Sequence, residues 1–249
     1  MPAVRHIALR KTARRLPKPP QPTEADDAEL SSSDQVVEHI TASIFAGRYV
    51  PGQRLVEADV THALRVSRGP VREAFRRLDA LGILARTLHR GACVRTLDRT
   101  EALHLLLAVE PLIGLTARLA AEQFARRPPG REFGEFEREL QPYRDRQEDV
   151  GNLLTQRRHF YDVLAAMSGN TQLPSLFPTM RIHLLRLQVQ SFLDAENRRR
   201  HLDDYASIAK AVLAGDAKQA EKAMVAHNKR MRQAIAELPD SAFPRAVDE

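Results

Sequence analysis

Between residues 98 and 240 no segment alternates apolar and polar residues with a period of two, while alanines and leucines recur at three- and four-residue spacing. A stretch this long with only helical periodicity has one kind of compact solution: helices packed antiparallel, each burying one stripe. Breaks fall at Pro128-Pro129-Gly130, Gly151, Gly169-Asn170 and Gly215, and Pro111 predicts a kink in the first helix. The most apolar run, Leu103 to Ala121, carries His104, Glu110, Pro111 and Arg118. It reads as a core helix, because a membrane span needs roughly 20 largely uninterrupted apolar residues.

The preceding residues read differently. Ser33 and Asp34 predict an N-cap, and Val36, Val37, Ile40, Ile44 and Phe45 follow at helical spacing until Gly47. Pro51-Gly52 makes a turn, and a short helix spans Glu57 to Leu64. Ser67 is expected to cap a third helix ending near Leu81. Ile83 to Ala85 and Ala92 to Val94 read as two strands around the basic loop Arg86 to Gly91. Three helices and a two-stranded wing make a winged helix-turn-helix. The fold expected is mainly α: an N-terminal winged helix-turn-helix of three helices plus a small β wing, then an all-α antiparallel helical bundle.

The third helix has the physical make-up of a groove reader. Val71, Phe75 and Leu78 form a buried stripe, Gly69, Arg72 and Arg76 lie on another face, and Arg68 sits at the exposed tip. The first turns of such a helix reach base edges and phosphates in the major groove. His89 and Arg90 at the wing tip would lie beside the minor groove, with Gly91 permitting close backbone approach. The formal net charge of +6 suits an anionic partner. Cys93 is the single cysteine, which excludes an internal disulfide framework and fits a reducing compartment. The N-terminus lacks the apolar segment of a secretory signal, so the expectation is a cytoplasmic protein with no membrane partner.

The runs Gly47 to Glu57 (GRYVPGQRLVE), Leu64 to Ala74 (LRVSRGPVREA), Leu78 to Ile83 and Arg90 to Val94 closely resemble the DNA-binding domain of the GntR family of transcription regulators. The resemblance covers residues 33 to 96 without a gap. It implies operator contacts by Arg68 and Arg72, with Ser67 and Gly69 flanking the backbone and His89 to Gly91 at the wing. It also implies a homodimer on a pseudo-palindromic operator. Ala58 departs from the pattern, standing where members often carry a phosphate-contacting arginine; Arg54 or Arg65 are the nearby substitutes.

Residues 98 to 238 resemble the FCD-type effector domain of the FadR-like subfamily. The resemblance rests on Phe160-Tyr161, Ala166 to Asn170, Ile208 to Asp216 and Met224 to His227. It divides the chain into a disordered arm (1–30), a DNA-binding domain (31–96), a helical effector-binding and dimerisation domain (97–240) and a flexible tail (241–249). Many such domains hold a divalent metal through an aspartate and three histidines. The matching positions here are Arg157, Tyr161, Tyr205 and His227, so only His227 keeps a ligand type and no metal or other cofactor is expected. A guanidinium has no lone pair and repels a cation. These four residues are the candidate effector site, with Arg157 holding an anionic or carboxylate metabolite directly. Alternatively, Arg157 pairs with an acidic neighbour and the tyrosines fill volume. Leu106, near a position often taken by arginine, points to a more apolar pocket and a larger ligand.

The helical part carries no Gly-rich phosphate loop, nucleophile elbow or metal-ligand cluster, so an enzyme is not expected. A DNA-binding protein with a vestigial sensor is the remaining alternative.

Overall fold

The computed structural model describes residues 31–87, 91–126, 131–145, 153–177 and 179–243. The expected disordered arm, the wing-tip residues His89 and Arg90 and the last six residues lie outside the described residues.

Helix α1 (Ser32–Phe45) starts slightly before the expected cap, because the Ser31 hydroxyl accepts the Asp34 N–H at 3.2 Å. The eight residues 46–53 lead to strand β1 (Arg54–Leu55), followed by α2 (Glu57–Leu64) and α3 (Arg68–Ala80). Strands β2 (Leu84–Thr87) and β3 (Gly91–Val94) form the expected wing hairpin. The sheet has three strands, not two: β3 is central, pairing antiparallel with β2 and with β1, where Arg54 faces Cys93 and Leu55 faces Ala92. Two residues are too few to show a period, so β1 is invisible in the sequence pattern.

The remainder is helical, as the periodicity requires. Helix α4 (Arg99–Arg126) runs through Pro111 as one helix. It packs against α10 (Ala217–Ala236), α6 (Leu153–Met167) and α9 (Ala195–Leu213), with α5 (Arg131–Arg144) against α9. Length and composition alone would let α4 cross a membrane, yet its apolar side, including Leu105, Val109, Ile113 and Ala117, is buried among these helices. The one-turn α7 (Leu173–Leu176) and α8 (Thr179–Val189) close one end.

The core does not respect the boundary near residue 96. One apolar cluster joins Ile40 and Ile44 of α1, Val71 and Leu78 of α3 and Val94 of β3 to Leu106 of α4, Leu185 of α8 and Ile235 of α10. A second cluster fills the far half of the bundle around Phe160, Tyr205 and Met224. The winged helix-turn-helix unit is therefore fused to one end of the bundle rather than tethered to it.

The segment from residue 241 needs correction. Ala242 and Phe243 are buried, the Arg99 guanidinium stacks 4.7 Å over the Phe243 ring, and Gln188 donates to the Ala242 carbonyl at 2.9 Å. Arg99 also donates to the Ala236 and Leu238 carbonyls, satisfying the free end of α10. Residues 241–243 are a packed closure of the bundle, not a tail.

Candidate functional site

The surface of α3 presents its arginines as the spacing requires. Ser67, Arg68, Gly69, Arg72 and Arg76 are all exposed, while Val71, Phe75 and Leu78 are buried. Arg72 is held by Glu57 of α2 at 2.9 Å, and Arg76 by Glu73 one turn before it. Both pairs are exposed, so little energy opposes handing either guanidinium to a phosphate or a guanine edge. Arg68 forms no ion pair among the described residues. The Ser67 hydroxyl does not cap α3, contrary to expectation.

Gly91 has a structural role that its position at the wing tip did not suggest. Its φ is +96°, and a Cβ there would lie 2.4 Å from the Leu55 carbonyl oxygen. The missing side chain admits β1 to the sheet, a requirement separate from any approach to a groove. At Gly69 a Cβ would meet nothing within 4 Å, so the space beside it is open for a ligand surface.

A cavity of about 110 Å³ lies where α1, α4, α6, α8 and α10 meet. Leu106, Val109 and Ile113 form an apolar wall, opposed by Arg157, Arg158, Tyr161, His183, Arg186 and Asn228. The winged helix-turn-helix unit contributes Phe45, the last residue of α1. Arg158 stacks 4.2 Å over the Phe45 ring, His183 packs against it at 4.6 Å, and His183 Nε2–H donates to the Ile44 carbonyl at 3.3 Å.

The four sequence-derived effector residues divide between two layers. Arg157 and Tyr161 line the cavity, with the guanidinium 4.7 Å over the phenol ring. Tyr205 and His227 do not line it. Tyr205 is fully buried, stacked on Phe160 at 4.2 Å, with its hydroxyl 2.8 Å from His201 Nε2. His227 Nδ1 donates to Asp204 at 2.9 Å, which leaves Nε2 a buried lone pair with no partner. Burial holds His201 and His227 below the ordinary imidazole value, and pushes the Tyr205 phenol well above its own. Both histidines are thus neutral near pH 7. Tyr205 and His227, expected as ligand contacts, lie outside the lining of this cavity. Among the described residues no group of three or more His, Cys, Asp or Glu side chains converges as a metal site would.

Sequence reasoning missed Arg186, His183, Asn228 and Phe45. A signal existed for the first two. Helix α8 buries residues on every side, including Leu184, Leu185 and Leu187, so a polar residue in it must be buried too. Asn228 donates to the Leu106 carbonyl and to Glu110, locking α10 to α4 beside the cavity.

His183 gives the contact with α1 a pH dependence. Burial pushes its imidazole down to about 4, with Arg157 and Arg158 adding to the effect and the Ile44 carbonyl opposing it. Released from this site it would titrate near 6.5, so the contact is intact above 6.5 and weakens as pH falls toward 4. Between pH 6.5 and 5 the loss is on the order of 1–2 kcal/mol. Hydrogen exchange at the end of α1 should accelerate over that range, and His183→Phe should flatten the response.

Residues 32–94 match the description "Bacterial regulatory proteins, gntR family", and residues 114–230 match the FCD domain. The chain carries a GntR-family DNA-binding domain followed by an FCD domain. An HTH-type transcriptional regulator of Mycobacterium tuberculosis is 30% identical over 119 residues, 48% of this chain and 47% of that protein. The probable D-xylose utilization operon transcriptional repressor of Paenarthrobacter nicotinovorans is 39% identical over 95 residues, 37% of this chain and 41% of its own. The chain thus spans about half the length of the curated relatives it matches. Among solved structures, a GntR transcriptional regulator from Rhodococcus sp. RHA1 superposes with TM-score 0.66 at 24% identity, covering 83% of this chain and 98% of that one. E. coli McbR/YncC gives 0.63 at 20%, covering 83% and 97%. These likenesses establish the GntR–FCD fold.

Proposed function

We propose that the protein is a sequence-specific DNA-binding transcription regulator whose operator affinity responds to a small anionic metabolite in the α4/α6/α8 cavity. One observation carries the reading: the cavity that holds Arg157 is walled in part by Phe45, the end of the helix on which the DNA-reading unit is built. A ligand there acts on both units at once. The M. tuberculosis and P. nicotinovorans relatives are named as transcriptional regulators, which supports the DNA-binding half. Two copies would present two α3 helices to half-sites about one helical turn apart.

The residues do not fit the divalent ion that many FCD domains hold. The positions matched to its ligands supply one imidazole, one guanidinium and two phenols, and one of those phenols is engaged with His201. Arg157 and Arg186 would both repel a cation in the low dielectric of the bundle. The effector is held directly by side chains, and no enzymatic step is assigned.

The test is selection of bound duplexes from a random library. Wild-type protein should enrich an inverted repeat. Arg68→Ala and Arg72→Ala should each weaken its binding, and whichever reads a base should lose about 1–3 kcal/mol of discrimination at that position. Unchanged affinity and specificity in both variants, across salt concentrations, would overturn the assignment of α3.

A further inference from the structure

We propose that the cavity is shaped for a small dianion, with Arg157 and Arg186 each neutralising one of its two negative charges. This rests on the effector-site reading above and narrows it to a chemical class.

The argument is a charge count of the wall. Arg157, Arg158, Arg186, Asp162 and His183 are its titratable groups apart from the Tyr161 phenol. Arg158 lies 3.6 Å from Asp162, so those two cancel. His183 is neutral near pH 7, as argued above. Two positive charges remain. Arg186 is 6% exposed, and burial together with Arg157 lowers its guanidinium only to about 10, so it stays charged at neutral pH. Neither Arg157 nor Arg186 forms an ion pair among the described residues, and the Nε of each is buried without an acceptor.

Two other carboxylates of the bundle, Asp204 and Glu110, are committed elsewhere. Asp204 binds His227 and Arg230, and Glu110 binds Arg232 and the Asn228 amide. An unpaired charge is strongly unfavourable when buried, as at Arg186, and a like charge beside it on the half-buried Arg157 adds to the cost. A monoanion relieves one of them. A dianion relieves both and can supply acceptors to both orphaned N–H groups.

The volume sets the size. At about 110 Å³ the cavity is well below the roughly 300–1,000 Å³ of drug-sized sites. It takes a ligand of a few carbons, against the larger one that Leu106 suggested. A short dicarboxylate and a phosphate share the required chemistry.

Calorimetry at pH 8 would distinguish these sources. The probes are malonate, succinate and glutarate, the monocarboxylates propanoate, butyrate and valerate, and inorganic phosphate, which is largely dianionic there. At least one dianion should bind wild-type protein ten-fold or more tightly than every monocarboxylate; whether it is a dicarboxylate or phosphate names the source. Arg186→Met should remove that preference, lowering dianion affinity at least ten-fold with little change for monocarboxylates. It should also raise the melting temperature of the unliganded protein, because a buried unpaired charge is gone. Arg186→Lys, which keeps the charge, should retain part of the preference. Equal binding of mono- and dianions, or a preference that survives Arg186→Met, would overturn the dianion proposal while leaving an anionic effector standing. Binding of none of the probes would overturn both.

Discussion

Gly91→Ala is expected to destabilise the protein by about 3 kcal/mol or more and to detach β1 from the wing. Two penalties combine. A φ of +96° is strained for any residue with a Cβ, and that Cβ would stand 2.4 Å from a backbone oxygen that cannot rotate away. Only separation of Leu55 from Ala92 relieves the overlap, and this breaks the register that joins α2 to the hairpin. Gly69→Ala is the contrasting case. It sits in the first turn of α3 with open space around it, so alanine should leave stability unchanged or raise it by about 0.5–1 kcal/mol. If Gly69 faces a phosphate backbone, that variant should lose operator affinity despite its stability. Chemical denaturation of the two variants separates a glycine required by the fold from one required by the partner.

The contrast also shows what the amino-acid sequence could and could not tell. The buried stripe of α3, its exposed arginines and the helical bundle were legible because periodicity reports burial directly. Strand β1 was not, since its two residues have no period, so its demand on Gly91 could not be read from the sequence either. In the cavity, Arg157 and Tyr161 were found through their positions in the FCD pattern. Tyr205 and His227 share that pattern, yet their side chains turn to His201 and Asp204 in a buried layer outside the cavity lining, which spacing cannot report. Phe45 could not be foreseen as a wall of the site: it reads as the apolar end of α1, and only tertiary packing brings it to α8. The fused core across residue 96 was hidden for the same reason.

That junction carries the second large effect. Phe45→Ala should uncouple the two units while leaving each competent. The ring is the shared surface: Arg158 stacks on one side and His183 packs beside it. An anion drawn to Arg157 and Arg186 changes the field at Arg158 and His183, and both report to the end of α1. Removing the ring opens a gap that absorbs such shifts before they reach α3. Operator affinity without ligand should change little, since no groove contact is lost. Anion affinity should also change little, because the charged partners remain. What should disappear is their mutual influence, which in linked systems typically amounts to about 5–150-fold.

The most direct measurement is therefore a thermodynamic cycle by fluorescence anisotropy. A labelled duplex from the selection is titrated with wild-type protein and with Phe45→Ala, each with and without a saturating concentration of the tightest-binding dianion. Wild-type operator affinity is expected to shift at least five-fold on adding the anion, and that of Phe45→Ala by less than two-fold. Equal shifts in the two proteins, or no shift in the wild type despite an occupied cavity, would contradict coupling through the α1–cavity contact.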